Sequence, residues 1–200
     1  QNGLTSANGF ANQAEVLIRT RQAADFVGAT KMDRPEWIAV HPGSGDVYCA
    51  LTNNRQRTQG NAANPRVGNG FGHIVRWREA GDDAAATRFA WDIFVQCGDP
   101  LHADAEQRGN IRGDAFGSPD GLWFDRDGRL WIQTDAAASA IRSGDYSRLG
   151  NNQMLVADVV SGDIRRFLTG PRGCEVTGFT ATPDGRNLFV NVQHPGEGLA

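Results

Sequence analysis

The sequence lacks the features that mark several specialised classes of protein. Basic and acidic residues nearly balance, 20 against 23, and the net charge is −3. No basic excess therefore indicates nucleic acid, and no acidic tail indicates a charged partner. No apolar run approaches the ~18 residues needed to span a bilayer, so no membrane partner is expected. No signal-like segment follows Gln1, which is weak evidence because a processed or missing region can precede it.

Cysteine is also scarce. Cys49, Cys97 and Cys174 lie far apart and are odd in number, and they form no C-x-x-C pair. Neither a zinc knuckle nor a disulfide framework is therefore expected. All three are expected to be buried or half-buried thiols, and only Cys174, beside Glu175, is a possible neighbour of a site.

The common catalytic motifs are missing as well. There is no G-x-S-x-G, H-E-x-x-H or P-loop pattern, and the Asp-Gly pairs lack EF-hand spacing. The histidines make no metal motif by spacing, and one of them, His194, remains a minor site candidate beside the last predicted strand.

Glycine, in contrast, is plentiful at 25 residues, and helix-period segments are few. One short helix is predicted around residues 11–24, although this segment can also begin as a strand. Elsewhere apolar strands alternate with Gly- and Asp-rich turns, which predicts β-hairpins. The five predicted hairpins cover residues 37–52, 73–95, 122–134, 154–168 and 178–192.

The hairpins recur as a longer unit, in which two hairpins are joined by a polar loop. Four-stranded antiparallel units in series are typical of an all-β fold, the β-propeller, which closes with ~4–8 blades. We assign a blade remnant to residues 1–29, blades to residues 30–100 and 113–171, and a half blade to residues 173–200. We interpret the chain as covering only part of a propeller in a longer protein; completion of the sheets by another copy is the alternative.

One acidic residue recurs in the same frame of each unit, at the entrance of its first strand: Glu36, Asp120 and Glu175. Carboxylates that return once per blade are expected to converge on the centre of a propeller. There they would repel each other unless a cation or protons relieved them, and Ca²⁺ prefers such oxygen ligands. The alternative is ordinary turn chemistry of Pro-Asp-Gly and Pro-Glu. Asp135, which ends an apolar strand, is a weaker ligand candidate.

Arg34 lies two residues before Glu36 and is expected to face the same way in an extended segment. It could bind a phosphate or carboxylate through its fork of donors. The alternative is a salt bridge to Glu36 or Asp33. Two polar loops, residues 52–72 and 136–152, are longer than most hairpin connections. They are interpreted either as covers for the carboxylate face or as mobile surface loops.

Four longer motifs resemble PhoX-type alkaline phosphatases: GATKMDRPEWIAVHP, ANPRVGNGFGHIVRW, FGSPDGLWFDRDGRLWIQTD and GPRGCEVTGFTATPDGRNLFVNVQHPGE. The resemblance implies a periplasmic or secreted propeller enzyme that hydrolyses small-molecule phosphate monoesters with Ca²⁺ and Fe³⁺. It implies that Glu36, Asp120, Asp135 and Glu175 bind metal and that Arg34 contacts phosphate.

The resemblance covers the C-terminal portion of that family, in which a cysteine and further acidic ligands come from the N-terminal portion. The isolated chain is therefore expected to be inactive. Two rival functions remain: a calcium-dependent propeller lactonase or esterase, and a non-catalytic fragment that binds a ligand or partner.

Overall fold

The computed structural model describes residues 3–198, and its chain divides into two compact units at residues 31 and 32. The first unit is helical, with α1 at Gln13–Ile18 and α2 at Thr20–Phe26. The Asn12 side chain accepts a hydrogen bond from the Glu15 amide and caps α1. The predicted short helix is thus confirmed as two shorter helices. The described part of the predicted blade remnant, residues 3–29, forms these helices and no strand.

The second unit is mostly β, as predicted. Its first sheet is an antiparallel meander in the order β1-β2-β3-β4. The strand bounds are Pro35–Val40, Val47–Leu51, His73–Glu79 and Phe89–Gln96. The predicted hairpins at residues 37–52 and 73–95 are therefore confirmed, and they share one four-stranded sheet.

The second sheet has five strands in the order β5-β9-β8-β7-β6. Their bounds are Arg112–Gly113, Pro119–Phe124, Leu130–Thr134, Gln153–Ala157 and Asp163–Thr169 for β5 to β9. Four of these strands form the two predicted hairpins. The fifth, β5, was not predicted, because two residues that pair in parallel with the β9 edge carry no alternating pattern.

The third sheet is the last predicted hairpin, with β10 at Glu175–Ala181 and β11 at Leu188–Gln193. Strand β6 packs against both β1 and β10, so the first strands of the three predicted units are neighbours. No helix within residues 3–198 has the length and apolar character needed to cross a membrane.

Apolar side chains fill the space between the sheets. One cluster joins the first and second sheets around Ile74, Phe116, Leu122 and Ile132, all almost fully buried. A second cluster joins the second and third sheets, where the Trp131 and Phe179 rings stack with centroids 4.7 Å apart. The three cysteines are buried and free, as predicted.

The loop of residues 52–72 is anchored from within, although it contains no regular strand or helix. Arg66 is almost fully buried, and its guanidinium donates to the carbonyls of Cys97 (2.6 Å) and Gly72. Asp33, wholly buried, accepts hydrogen bonds from three side chains of the loop: Asn54, Arg57 and Asn69. A buried carboxylate needs such partners, so the loop is fixed to the residue before Arg34.

The loop of residues 136–152 is not structureless, since Ala138–Ser143 form α3. Its alanine-rich sequence has high helix propensity, which explains this helix. This loop meets the first one directly: Arg55 pairs with Asp145 at 2.5 Å, and the Tyr146 hydroxyl donates to the Gly70 carbonyl at 2.8 Å. The two long loops thus support each other.

Candidate metal centre

The three recurring carboxylates occupy equivalent places in the fold. Glu36 is the second residue of β1, Asp120 is the second residue of β6, and Glu175 is the first residue of β10. These strands lie side by side, so their entrances meet on one side of the molecule.

The backbone before each carboxylate repeats a rare conformation. The residue two positions earlier is left-handed in all three units, with φ between 51° and 65°: Arg34, Ser118 and Gly173. Glycine adopts such angles freely, whereas arginine and serine do so at an energetic cost. In two units the residue that follows the returning second strand holds this residue in place, through Thr52 N–H to the Arg34 carbonyl (3.1 Å) and Asp135 N–H to the Ser118 carbonyl (3.0 Å).

Three carboxylates form the tightest acidic group of the described residues. One carboxylate oxygen from each of Asp120, Asp135 and Glu175 lies within 4.8 Å of the other two, and each residue is half-buried. Only oxygen donors are present in this group, which suits a hard cation such as Ca²⁺ rather than a soft metal. The donor atoms of Asp120, Asp135 and Glu175 thus suit the calcium-binding role predicted for these three residues.

Glu36 lies outside this 4.8 Å group but within its electrostatic reach, since its charge raises the pKa of both Asp120 and Glu175. Its Oε1 lies 3.4 Å from Nη2 of Arg34. Glu36 therefore connects the carboxylate group to the arginine.

The carboxylates resist ionisation when no cation is present. Desolvation, followed by the charges of Glu36 and Asp135, raises the pKa of Asp120 to about 6. Desolvation, followed by the charges of Asp135 and Asp120, raises the pKa of Glu175 to about 7. Burial likewise raises the pKa of Asp135. Crowded carboxylates with raised pKa values are characteristic of functional sites, where a cation would relieve the repulsion.

These shifts predict how the stability of the metal-free protein depends on pH. Because the pKa values of Asp120 and Glu175 are higher in the folded state, their stabilising contribution is complete below about pH 4 and is lost as pH rises through about 6 to 7. We expect Glu175→Gln to lose part of this pH slope. Thermal unfolding with a chelator at pH 4.5, 6 and 8 measures it, and parallel curves for wild type and variant would contradict the assignment.

Arg34 faces this group with part of its side chain in solvent. Nη1 donates to Oδ1 of Asn53 at 3.3 Å, Nη2 pairs with Glu36, and 52% of the side-chain surface is exposed. Its charge lowers the pKa values of Asp120 and Asp135. The salt bridge to Glu36 is thus present, and the remaining donors are accessible to an anion.

One further polar residue at the site, Gln193, had no local sequence signal. Gln193 Nε2 donates to Oε2 of Glu175 at 3.2 Å and lies 2.8 Å from Nε2 of His194. The register between β10 and β11 explains why Gln193 lies beside Glu175, because these two residues pair across the strands. His194, singled out in the sequence, favours ionisation of Glu175 and Asp135. Burial and the neighbouring Glu175 raise the pKa of the Cys174 thiol, so it stays protonated.

Comparison with known proteins identifies the family. A family model described as alkaline phosphatase PhoX matches residues 2–196. The chain belongs to the PhoX family. The resemblance of the sequence motifs to PhoX-type alkaline phosphatases is therefore confirmed.

A solved structure of Pseudomonas fluorescens PhoX, in complex with vanadate as a transition state analogue, is 52% identical with a TM-score of 0.91. The match covers 98% of this chain and 35% of that chain, so the chain spans about a third of its PhoX relative. A gluconolactonase from Xanthomonas campestris is 16% identical over 84% of this chain and 57% of its own, and its TM-score of 0.37 carries no inference. A search of curated proteins found no match.

Proposed function

We propose that this chain forms part of the active site of a metal-dependent alkaline phosphatase that hydrolyses small-molecule phosphate monoesters. The observation that carries the proposal is the half-exposed Arg34 beside the group formed by Asp120, Asp135 and Glu175. A cation in the carboxylate group and the guanidinium would together offer positive charge to one anion. The membership of the PhoX family supports this reading.

The metal set is proposed as Ca²⁺ together with Fe³⁺. Asp120, Asp135 and Glu175 supply oxygen ligands to calcium, and Glu36 adds a carboxylate between them and Arg34. When bound, such ions supply Lewis-acid stabilisation of phosphate charge and activation of an oxygen nucleophile.

Arg34 then has a defined role in this proposal. Its fork of N–H donors binds phosphate oxygens in the bidentate manner that arginine favours. In the transition state of phosphoryl transfer, negative charge is spread over those oxygens. A guanidinium fixed beside them therefore stabilises the transition state electrostatically. Glu36 holds one side of the guanidinium at 3.4 Å and leaves the other donors for the substrate.

The fold supports an incomplete centre within a β-propeller. Neighbouring first strands β1, β6 and β10 correspond to innermost strands of successive blades, and their carboxylates would face a central channel. The remaining blades and metal ligands would come from other parts of a longer chain, so these 200 residues alone would be inactive. We also propose a periplasmic or secreted location, as the family resemblance implies.

The test compares two substrate classes on the metal-loaded full-length protein. A phosphate monoester should be hydrolysed, a lactone should not, and a chelator should abolish the activity. Lactone cleavage without phosphatase activity would favour the rival esterase. Ligand binding without turnover of either substrate would favour a non-catalytic role.

A further inference from the structure

A chain of hydrogen bonds runs from the buried interior to Arg34. It begins at the Gly70 carbonyl, which accepts a hydrogen bond from the Tyr146 hydroxyl at 2.8 Å. A tyrosine hydroxyl has one proton, so the hydrogen bond to Gly70 uses the only proton that the Tyr146 hydroxyl can donate. Ser118 Oγ lies 2.8 Å from the same hydroxyl and must therefore donate its own proton to Tyr146.

The direction is then fixed as far as the arginine. Because the Ser118 proton is committed, Oγ can only accept, and it accepts from Nδ2 of Asn53 at 3.1 Å. This contact sets the orientation of the Asn53 amide, so that its Oδ1 faces Arg34 and accepts from Nη1 at 3.3 Å. One backbone carbonyl thereby determines which atom the amide presents to the guanidinium.

We propose that Asn53, Ser118 and Tyr146 are positioning residues that hold the Arg34 guanidinium in place for a phosphate anion. The proposal rests on the phosphate-binding role of Arg34 proposed above. It assigns these three side chains a part in the function of the site that their positions in the sequence do not suggest.

Two features favour positioning over simple packing. Ser118 and Tyr146 are 1% and 3% exposed, so bulk water does not compete for their hydrogen bonds. The group that touches Arg34 is a neutral amide, which orients the guanidinium without cancelling its charge. Glu36 alone would draw the guanidinium towards the carboxylates, whereas Asn53 holds its other nitrogen.

The same hydrogen-bond chain connects both long loops to Arg34. Asn53 and Gly70 belong to the loop of residues 52–72, and Tyr146 belongs to the loop of residues 136–152. Ser118 is the left-handed residue at the entrance of β6. Its strained backbone, with a φ of 51°, is the position from which Oγ reaches both Asn53 and Tyr146.

The experiment measures vanadate inhibition of the metal-loaded full-length enzyme. Tyr146→Phe and Ser118→Ala each remove a link of this hydrogen-bond chain. We expect the inhibition constant for vanadate to rise about threefold to tenfold, the effect of one lost hydrogen bond. Tyr48→Phe is the matched control: Tyr48 is likewise buried, at 1% exposure, but it lies in the first sheet, where its ring centroid is 5.9 Å from the guanidinium carbon of Arg76. The control should leave inhibition unchanged.

The deciding step repeats Tyr146→Phe in an Arg34→Ala background. A positioning role predicts that Tyr146→Phe no longer weakens vanadate inhibition in this background, because the hydrogen-bond chain has no guanidinium left to orient. The same weakening with and without Arg34, or no weakening in the wild-type background, would overturn the proposal. If Arg34→Ala itself leaves vanadate inhibition intact, the proposed function fails instead. Should Tyr146→Phe not fold, Asn53→Ala, nearer the surface, tests the same link.

Discussion

Arg34→Ala in the metal-loaded full-length protein is expected to lower kcat for a phosphate monoester by about 100- to 1000-fold. This is the magnitude found when one donor to a developing oxyanion is removed. The guanidinium lies beside the carboxylate group with half of its surface exposed, so its loss removes positive charge where phosphate would bind. Steady-state kinetics of the purified variant measures the effect.

Two further variants sharpen the interpretation of that loss. Arg34→Lys keeps a charge but not the planar fork, and is expected to recover only part of the activity. Arg165→Ala, which removes an exposed arginine paired with Asp163 on β9, should leave kcat unchanged. Retention of full activity by Arg34→Ala would reject the phosphate-binding role.

Most of the strand order was predictable, because its signals are local. Each hairpin carries alternating apolar residues around a Gly- or Asp-containing turn, and all five appear in the structure. The short β5 and the helix α3 were missed for physical reasons. A two-residue strand exists only through its pairing with β9, and α3 lies in a loop whose turn residues hide its helical propensity.

The candidate site was likewise only partly predictable from the sequence. Recurrence in the same frame predicted Glu36, Asp120 and Glu175, and the left-handed residue before each one shows that the backbone repeats as well. Asn53 and Tyr146 were not predicted, since only the folding of two distant loops brings them to Ser118 and Arg34. Long-range contacts of this kind have no period and no motif.

Asp120→Asn is expected to have two effects of opposite sign on stability. It removes one carboxylate charge from a group whose oxygens lie within 4.8 Å, so the metal-free protein at pH 8 should unfold at a higher temperature than wild type. Desolvation, followed by the charges of Asp135 and Asp120, raises the pKa of Glu175 to about 7, and the substitution removes the part of this repulsion that comes from Asp120. The same change removes a calcium ligand, so added Ca²⁺ should no longer stabilise the variant.

The second effect is the larger one. A ligand present at 100 times its Kd stabilises a protein by about 2.7 kcal/mol, which corresponds to roughly 5–10 °C in Tm for a chain of this size. Thermal unfolding with Ca²⁺ and with a chelator should show this shift in wild type and in Asp127→Asn, which alters an exposed aspartate paired with Arg129. It should be absent in Asp120→Asn. An equal calcium shift in all three proteins would place the cation elsewhere, whereas a variant that is less stable than wild type without metal would show that Asp120 stabilises the fold by other contacts.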